Sequence, residues 1–238
     1  MTIRMNTTLS HRTLESGRNP RHSIIWLHGL GADGSDFAPL ADQLKLPVPI
    51  RYIFPDAPPR PVTINGGMVM RAWYDIAAPD IDARQDAAGI RASQSLIEEL
   101  VVREVGQGIS QENIYLAGFS QGGAVALHTA LRQTVPLGGV LALSTYLPLA
   151  DRAEDEALAA TRNTPIFMAH GRSDPVIPCA LGQRSRDALL RLGYTVEWHE
   201  YPMPHSVCEA ELRDIGDWLS QRIRPEAMQG RDWPRQIR

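Results

Sequence analysis

The stretch NIYLAGFSQGGAVALHTALRQ, residues 113–133, carries the clearest structural signal in the chain. Residues 113–119 form an apolar run that predicts a buried strand, and residues 121–133 predict a helix. Ser120 stands at the junction, surrounded by three glycines. A strand that simply turned into a helix would not need three glycines there. The pattern therefore indicates a very tight turn with the serine at its apex.

The same alternation of strand and helix extends on both sides of this stretch. Further strands are predicted over residues 22–28, 50–55, 138–144, 165–171 and 194–202, and helices over residues 36–45, 82–105, 178–193 and 206–223. Residues 56–72, rich in proline and with a Gly-Gly pair, are predicted as a long loop. Strands that alternate with helices predict right-handed crossovers and a mostly parallel sheet covered by helices on both faces.

The predicted elements form one domain, because no linker-like stretch separates them. We place an α/β domain over residues 21–223, after a polar N-terminal segment, residues 1–20, that holds at most one edge strand. Residues 224–238 form an arginine-rich tail. A solvated or packed tail and an interface arm both fit its composition.

Composition narrows the function class and the compartment. The formal net charge is −3, which gives no electrostatic case for nucleic-acid binding. Cys179 and Cys208 are too few for a disulfide scaffold and are expected to be free thiols. The chain has no signal-peptide pattern and no apolar run long enough for a membrane span. We therefore expect a soluble cytoplasmic protein without stable membrane insertion.

The tight turn at Ser120 matches the pattern G-x-S-x-G, from Gly118 to Gly122, between a predicted strand and a predicted helix. This context is typical of a nucleophile elbow, in which a strained serine exposes its hydroxyl oxygen. The helix that begins at Gln121 directs backbone N–H groups towards the reacting oxygen. We therefore predict that Ser120 is a nucleophile.

A serine nucleophile needs a base, and the best candidate among seven histidines is His205. It lies in a proline-flanked loop after the last predicted strand, where this serine–acid–histidine chain order places the base. His28 and His170, each before a glycine at a strand end, remain alternatives. His128 and His199 fall inside predicted elements and are expected to be structural.

The orienting acid is predicted to be Asp174, which follows a buried strand and precedes a proline-bounded turn. A turn aspartate would explain the residue by itself, and Asp151 and Asp155 fit the role less well. Between Ser120 and His205 in the chain, Asp174 would hold the correct histidine tautomer and stabilise the imidazolium.

Two backbone amides are expected to form the oxyanion hole. One belongs to Gln121, directly after the nucleophile, and the other to Leu30 in the glycine-rich loop HGLGADG, residues 28–34. A phosphate-binding loop is a weaker interpretation, because neither a Walker lysine nor G-x-G-x-x-G is present.

Six segments carry a family resemblance: LHGLGADGSDF, TINGG, RAWYDI, AGFSQGGAVAL, HGRSDPVIP and MPHSVCEAE. In combination they resemble the phospholipase/carboxylesterase family, which includes acyl-protein thioesterases, over about residues 22–220. The resemblance implies an α/β-hydrolase fold without a large cap domain and a reaction without metal or cofactor. It assigns Ser120, Asp174 and His205 to the catalytic triad and gives Leu30 and Gln121 as oxyanion donors. It also implies that Trp73 lines the acyl channel.

The loop before Trp73 is a second candidate for substrate contact. Met68 and Met70 have flexible side chains that suit a channel for acyl chains of varied shape, although they could equally pack the loop onto the core. Arg71 departs from the usual family pattern. It would favour an anionic leaving group if it pointed into the site, and would have no such effect if it pointed to solvent.

We therefore predict a serine carboxylesterase that cleaves short to medium acyl esters through an acyl-enzyme. Acyl-protein thioesterase or lysophospholipase activity is the alternative. A non-catalytic binding protein would require a broken triad. A metal site from His199, Glu200 and His205 is disfavoured, because one strand and its loop would supply every ligand. The expected partner is a small acyl ester or thioester, and a homodimer is compatible with the sequence.

Overall fold

A seven-stranded sheet organises the protein in the computed structural model, which describes residues 9–78 and 85–223. The strands are β1 His11–Glu15, β2 His22–Leu27, β3 Ile50–Pro55, β4 Pro59–Val62, β5 Met68–Arg71, β6 Ile114–Phe119, β7 Gly139–Leu143, β8 Ile166–Gly171 and β9 Val196–Tyr201. The sheet order is β1-β3-β2-β6-β7-β8-β9, with β4 and β5 paired separately. Within the seven-stranded sheet, as described over these residues, only β1 runs antiparallel to its neighbour, so the predicted, mostly parallel sheet is confirmed.

Helices cover both faces of the sheet, as predicted. They are α1 Ala38–Ala41, α2 Ala87–Gly106, α3 Gln121–Ala130, α4 Ala153–Glu156, α5 Cys179–Arg191 and α6 Glu209–Arg222. Side chains of a strand alternate between faces, so Ile25 joins the core shared with α2, α3 and α5. Ile24 and Trp26 join the core shared with α1 and α6. Burial on both faces explains the unbroken apolar runs of the parallel strands.

The predicted loop over residues 56–72 is wrong in part, because it contains the β4–β5 hairpin. Its strands pair antiparallel, with Val62 opposite Met68. A short 3-10 turn, Thr63–Asn65, precedes Gly66 and Gly67, both at positive φ. Prolines at positions 59 and 61 conceal the strand signal, because proline is tolerated in such an edge strand but is depleted in strands generally.

Two predicted helix limits also change. The helix expected over residues 36–45 is a single turn, Ala38–Ala41, with Phe37 at the cap position and no side-chain hydrogen bond there. Helix α2 begins at Ala87, where the Asp86 carboxylate accepts the Gly89 amide at 2.9 Å. Part of the predicted start of this helix, residues 82–84, lies outside the described residues.

The chain termini are only partly described. Strand β1 lies within the predicted polar N-terminal segment, where an edge strand was expected. The arginine-rich tail, residues 224–238, lies outside the described residues. Within residues 9–78 and 85–223, no helix combines the length and apolarity needed to cross a bilayer.

Candidate active site

The turn between β6 and α3 holds Ser120 in a conformation that few residues adopt. Its φ is 54° and its ψ is −122°, and α3 begins at the next residue. Such dihedrals cost roughly 1–3 kcal/mol for a residue with a side chain, and they are found mainly where function requires them. The turn is held in place by the Ser120 amide, which donates to the Leu143 carbonyl at 2.9 Å. The Thr145 hydroxyl also donates to the Ser120 carbonyl, at 2.6 Å.

The glycines around Ser120 are required by close backbone contacts. A Cβ on Gly118 would lie 2.4 Å from the carbonyl of Gly122, and one on Gly122 would lie 2.4 Å from the carbonyl of Leu27. A Cβ on Gly123 would lie 2.8 Å from the Thr145 side chain. Helix α3 therefore packs directly on β6 and β2, which brings its N-terminus to the end of β2.

His205 and Asp174 form a direct hydrogen bond, although 31 residues separate them in the chain. His205 Nδ1 lies 2.7 Å from Asp174 Oδ2. The other oxygen, Oδ1, accepts the amides of Val176 at 2.8 Å and Ile177 at 2.9 Å. Three donors thus orient the carboxylate of Asp174, whose side chain is fully buried. The arrangement leaves Nε2 of His205 as the ring atom available for proton transfer.

The alternative histidines are occupied by other bonds. His28 Nδ1 donates to the Gly29 carbonyl at 2.7 Å, and its Nε2 accepts the Ala57 amide at 2.9 Å. His170 Nε2 donates to the Ile177 carbonyl at 2.8 Å. Burial is the main cause that lowers the pKa of both rings, against hydrogen bonds and carboxylates that raise it. Both ring nitrogens of His28 are thus bonded, and His170 Nε2 also lies 3.5 Å from Asp174 Oδ2. Neither ring lines the cavity that Ser120 and His205 share.

A cavity of about 640 Å³ opens at Ser120 and His205. Its remaining wall residues are Gly29, Leu30, Ala32, Asp36, Phe37, Leu40, Phe119, Val176, Ser206 and Val207. Most of this wall is apolar, so it suits an acyl chain. Asp36 is the one carboxylate among these wall residues.

Both predicted oxyanion donors lie at this cavity or next to it. Leu30 belongs to the cavity wall. Gln121 is the first residue of α3, where backbone N–H groups have no partner within the helix. No sequence pattern predicts the contacts of the Gln121 side chain, which is buried and bonds to two backbone groups of a distant segment.

The other predicted contacts do not line this cavity, although the Arg71 carbonyl accepts the Gly31 amide at 2.9 Å, between wall residues Leu30 and Ala32. Trp73 is fully buried, and its indole N–H donates to the His28 carbonyl at 2.9 Å. Met68 is 64% exposed on the hairpin. The Met70 sulfur accepts the Asn65 side-chain amide at 3.3 Å. Arg71 points towards the Ala57 carbonyl, 3.1 Å away, and Asp56, so it does not enter the cavity.

Sequence reasoning missed most of the cavity wall. Phe37 caps the first short helix and Leu40 lies within it, and Val176 and Val207 follow the predicted acid and base. Their position in the chain could have indicated their role. Each lies in a segment that follows a strand at the carboxyl edge of the sheet, where ligands of parallel α/β folds bind. Apolar residues in those segments could have been proposed as the wall.

Most of the chain matches one known family. The sequence profile described as Phospholipase/Carboxylesterase matches residues 10–223. The chain belongs to the phospholipase/carboxylesterase family. It therefore has the predicted α/β-hydrolase fold and is a hydrolase, and the resemblance drawn from the six segments is confirmed.

Members of the family with known names cover nearly the whole chain. Acyl-protein thioesterase 1 of Neurospora crassa is 40% identical over 216 residues, covering 85% of this chain and 88% of that protein. The protein of the same name in Mycosarcoma maydis is 40% identical over 225 residues, covering 87% and 94%. These relatives support the predicted esterase or thioesterase class.

Solved structures of related proteins superpose closely. SOBER1 of Arabidopsis thaliana matches with a TM-score of 0.81 and 32% identity, covering 84% of this chain and 98% of its own. Acyl-protein thioesterase 2 of Zea mays matches with a TM-score of 0.77 and 30% identity, covering 89% and 98%. The single-domain architecture is thus shared with these solved structures.

Proposed function

We propose that the protein is a serine carboxylesterase that uses Ser120, His205 and Asp174. The observation that carries this proposal is the 2.7 Å bond between His205 and Asp174 beside a cavity that Ser120 also lines. A hydroxyl, a base and an orienting acid in that arrangement are the components of acyl transfer.

In the proposed reaction, His205 Nε2 takes the proton of the Ser120 hydroxyl as the oxygen attacks the substrate carbonyl carbon. The amides of Leu30 and Gln121 stabilise the oxyanion that forms. His205 then gives the proton to the departing alcohol or thiol, and the C–O or C–S bond breaks. A water molecule, deprotonated by His205, attacks the acyl-enzyme and releases the carboxylic acid and free Ser120.

Short to medium acyl chains are our first choice of substrate, because the wall is apolar and the cavity is of limited volume. We place the acyl chain against Leu30, Phe37 and Val207, which line the cavity. The sequence-based hypothesis that Met68, Met70 and Trp73 contact the chain is kept as a competing prediction, although none of them lines this cavity.

Thioester hydrolysis is the second candidate. Its support is the name acyl-protein thioesterase 1, carried by relatives at 40% identity. The proposed serine chemistry applies to oxygen esters and to thioesters, because the serine attacks a carbonyl carbon in each. The two substrates differ in the leaving atom, which is oxygen or sulfur. The cytoplasmic location and the homodimer have no further support and stay predictions.

A matched substrate panel tests these proposals. Acyl chains of two to twelve carbons are each presented as an oxygen ester, a thioester and a lysophospholipid. The value of kcat/KM is then compared among the three substrate types at each chain length. A fluorophosphonate should label Ser120 and stop turnover of every active substrate. Turnover that survives complete labelling, or an adduct on another residue, would exclude the proposed nucleophile.

A further inference from the structure

The buried side chain of Gln121 reaches away from the nucleophile to a segment 47 to 48 residues earlier in the chain. Its Oε1 accepts the Trp73 amide at 2.8 Å, and its Nε2 donates to the Tyr74 carbonyl at 2.7 Å. A side-chain amide that makes both bonds mimics a strand pairing, so it fixes the backbone of this segment relative to the first turn of α3.

Trp73 continues this connection towards the glycine-rich loop. The indole Nε1 donates to the His28 carbonyl at 2.9 Å, and the indole stacks at a tilt on the His28 ring, with centroids 5.3 Å apart. The Trp73 carbonyl accepts the buried hydroxyl of Ser93. Trp73 is fully buried, so its indole has a defined position from which to hold the start of the loop.

His28 links this loop start to the predicted donor at Leu30. The His28 ring holds the carbonyl of Gly29 at 2.7 Å, while the Ala57 amide fixes the ring tautomer. The carbonyl of Gly29 and the N–H of Leu30 belong to one planar trans peptide unit, so they point in opposite directions. Holding the carbonyl against His28 therefore also sets the direction of the Leu30 N–H.

We propose that the Gln121 side chain and the Trp73 indole are positioning groups that hold the two oxyanion donors in register. We call Gln121, Trp73 and His28 the oxyanion brace. Gln121 carries one donor on its own backbone, and Trp73 and His28 orient the other donor, the N–H of Leu30. This inference rests on the proposed serine-hydrolase function. It assigns Trp73 to the rear of the oxyanion hole, and so competes with the prediction that Trp73 lines the acyl channel.

Simple core packing makes a different prediction from the brace. If Trp73 only filled space, its replacement by a smaller aromatic ring would weaken all ligands or none. If it positions the oxyanion hole, the replacement weakens only interactions that form when the carbonyl carbon becomes tetrahedral. The test compares a trifluoromethyl ketone with the product carboxylic acid of the same acyl chain. The Ser120 oxygen attacks the carbonyl carbon of the ketone, its proton passes to His205, and the ketone oxygen becomes an oxyanion.

The first variant is Trp73→Phe, which keeps an aromatic ring and removes the Nε1 donor. We expect a rise of about 10-fold in the inhibition constant of the ketone and a similar fall in kcat, since loss of an entire oxyanion donor costs about 10²–10³-fold. The KM and the inhibition constant of the carboxylic acid should change by less than about 2-fold. The control Tyr194→Phe removes a buried hydroxyl contact, Tyr194 to Thr161 at 2.6 Å, that lies away from the cavity, and should spare both ligands.

The second variant, Gln121→Met, keeps the side-chain length and removes both bonds to the Trp73–Tyr74 segment. This variant should also bind the ketone more weakly while its affinity for the carboxylic acid stays unchanged. If Trp73→Phe does not fold, the result for Gln121→Met decides the test. Equal losses for the ketone and the acid, or no loss for either, would overturn the brace. If the wild-type protein formed no adduct with the ketone, the proposed hydrolase function would fail instead.

Discussion

The nucleophile elbow and the β4–β5 hairpin are both turns, but they respond differently to the same chemical change. At the elbow, a Cβ added to Gly122 would lie within 2.5 Å of two carbonyl oxygens. At the hairpin, Gly66 and Gly67 have nothing within 4 Å of such a Cβ. Exposed apolar side chains surround the hairpin turn, whereas α3, which follows the elbow, is buried throughout.

This difference shows that steric contacts restrict the sequence at the elbow, whereas only the backbone dihedral angles restrict it at the hairpin. The elbow needs glycines because backbone atoms of three elements meet there. The hairpin glycines are needed for their positive φ angles alone. Chemistry that depends on atomic positions is therefore expected at the elbow, and tolerance of side-chain changes is expected at the hairpin.

The largest expected effect is at the elbow itself, in Ser120→Ala. Removal of the nucleophile should lower kcat by about 10⁴-fold or more, leaving the residual catalysis that binding and oxyanion donors supply. Turnover of a short acyl ester and fluorophosphonate labelling both report the loss. The control Ser95→Ala, on the exposed side of α2, should retain wild-type turnover. Near-normal activity of Ser120→Ala would refute the assignment.

The steric difference is tested by Gly122→Ala. The new methyl group would meet the carbonyls of Leu27 and His28 at 2.4 and 2.5 Å. We expect a loss of about 2–3 kcal/mol in the free energy of unfolding, as for an overpacked core. The matched variant is Gly106→Ala at the end of α2, where nothing lies within 4 Å. It should be neutral or up to about 1 kcal/mol more stable in urea denaturation; similar losses at both positions would contradict the argument.

Burial of an ionised carboxylate should also lower the free energy of unfolding, and Glu211 on α6 is the residue that tests this. Both carboxylate oxygens are buried, and no side chain among the described residues donates a hydrogen bond to them. Burial raises the pKa of Glu211 to about 8, and the nearby Cys208 amide offsets only part of that rise. Between the ordinary pKa of 4.5 and about 8, the folded state keeps a proton that the unfolded state loses. The stability of the wild-type protein should therefore fall as the pH rises through this window.

The variant Glu211→Gln removes this titration. At pH 8 it should be more stable than the wild type by about 1–3 kcal/mol, and at pH 5 the difference should be close to zero. Urea denaturation of both proteins at the two pH values measures it. A difference that does not depend on pH would show that Glu211 is ionised in the folded protein.

The cavity wall offers a smaller effect that separates two hypotheses for the acyl chain. Phe37 lines the cavity and packs between Trp26 and Phe119. Because a buried methylene contributes about 0.8 kcal/mol, Phe37→Ala should lower the ratio of kcat/KM for medium over short acyl esters by roughly 3–10-fold. The paired variant Met70→Ala should leave that ratio unchanged. The reverse result would restore the methionines of the hairpin as the acyl contact.

The smallest effect is expected at the hairpin. Met68 is 64% exposed, so Met68→Ser should change the free energy of unfolding by no more than about 0.5 kcal/mol. Turnover of short esters should also stay within about 2-fold of the wild type. A larger loss of stability would mean that the hairpin is constrained in the same way as the elbow.

Sequence reasoning succeeded where a signal is local and repeated. The buried parallel strands were predicted because both of their faces are covered, which produces continuous apolar runs such as HSIIWL. The sequence also predicted that Ser120, Asp174 and His205 would meet, because each follows a strand and parallel strands share one carboxyl edge. Their roles still await the experiments above.

The remaining features depend on distant contacts that no short pattern encodes. The β4–β5 hairpin escaped prediction because its prolines hide the strand pattern. Trp73 is buried, and its backbone amide donates to the side chain of Gln121, 48 residues later in the chain. A glutamine in the elbow could have been suspected of a structural role, but its partners could not have been named from the sequence.

The dihedral angles of Ser120 have an evolutionary consequence. A φ of 54° with a ψ of −122° is accessible to glycine and strained for serine. The inactive protein with glycine at this position should therefore be the more stable one, by about 1–3 kcal/mol. Selection for folding alone would remove the nucleophile, so the serine persists only in a lineage that gains fitness from its reaction. Retention of this serine in a drifting copy of the gene would thus be a sign of continuing activity.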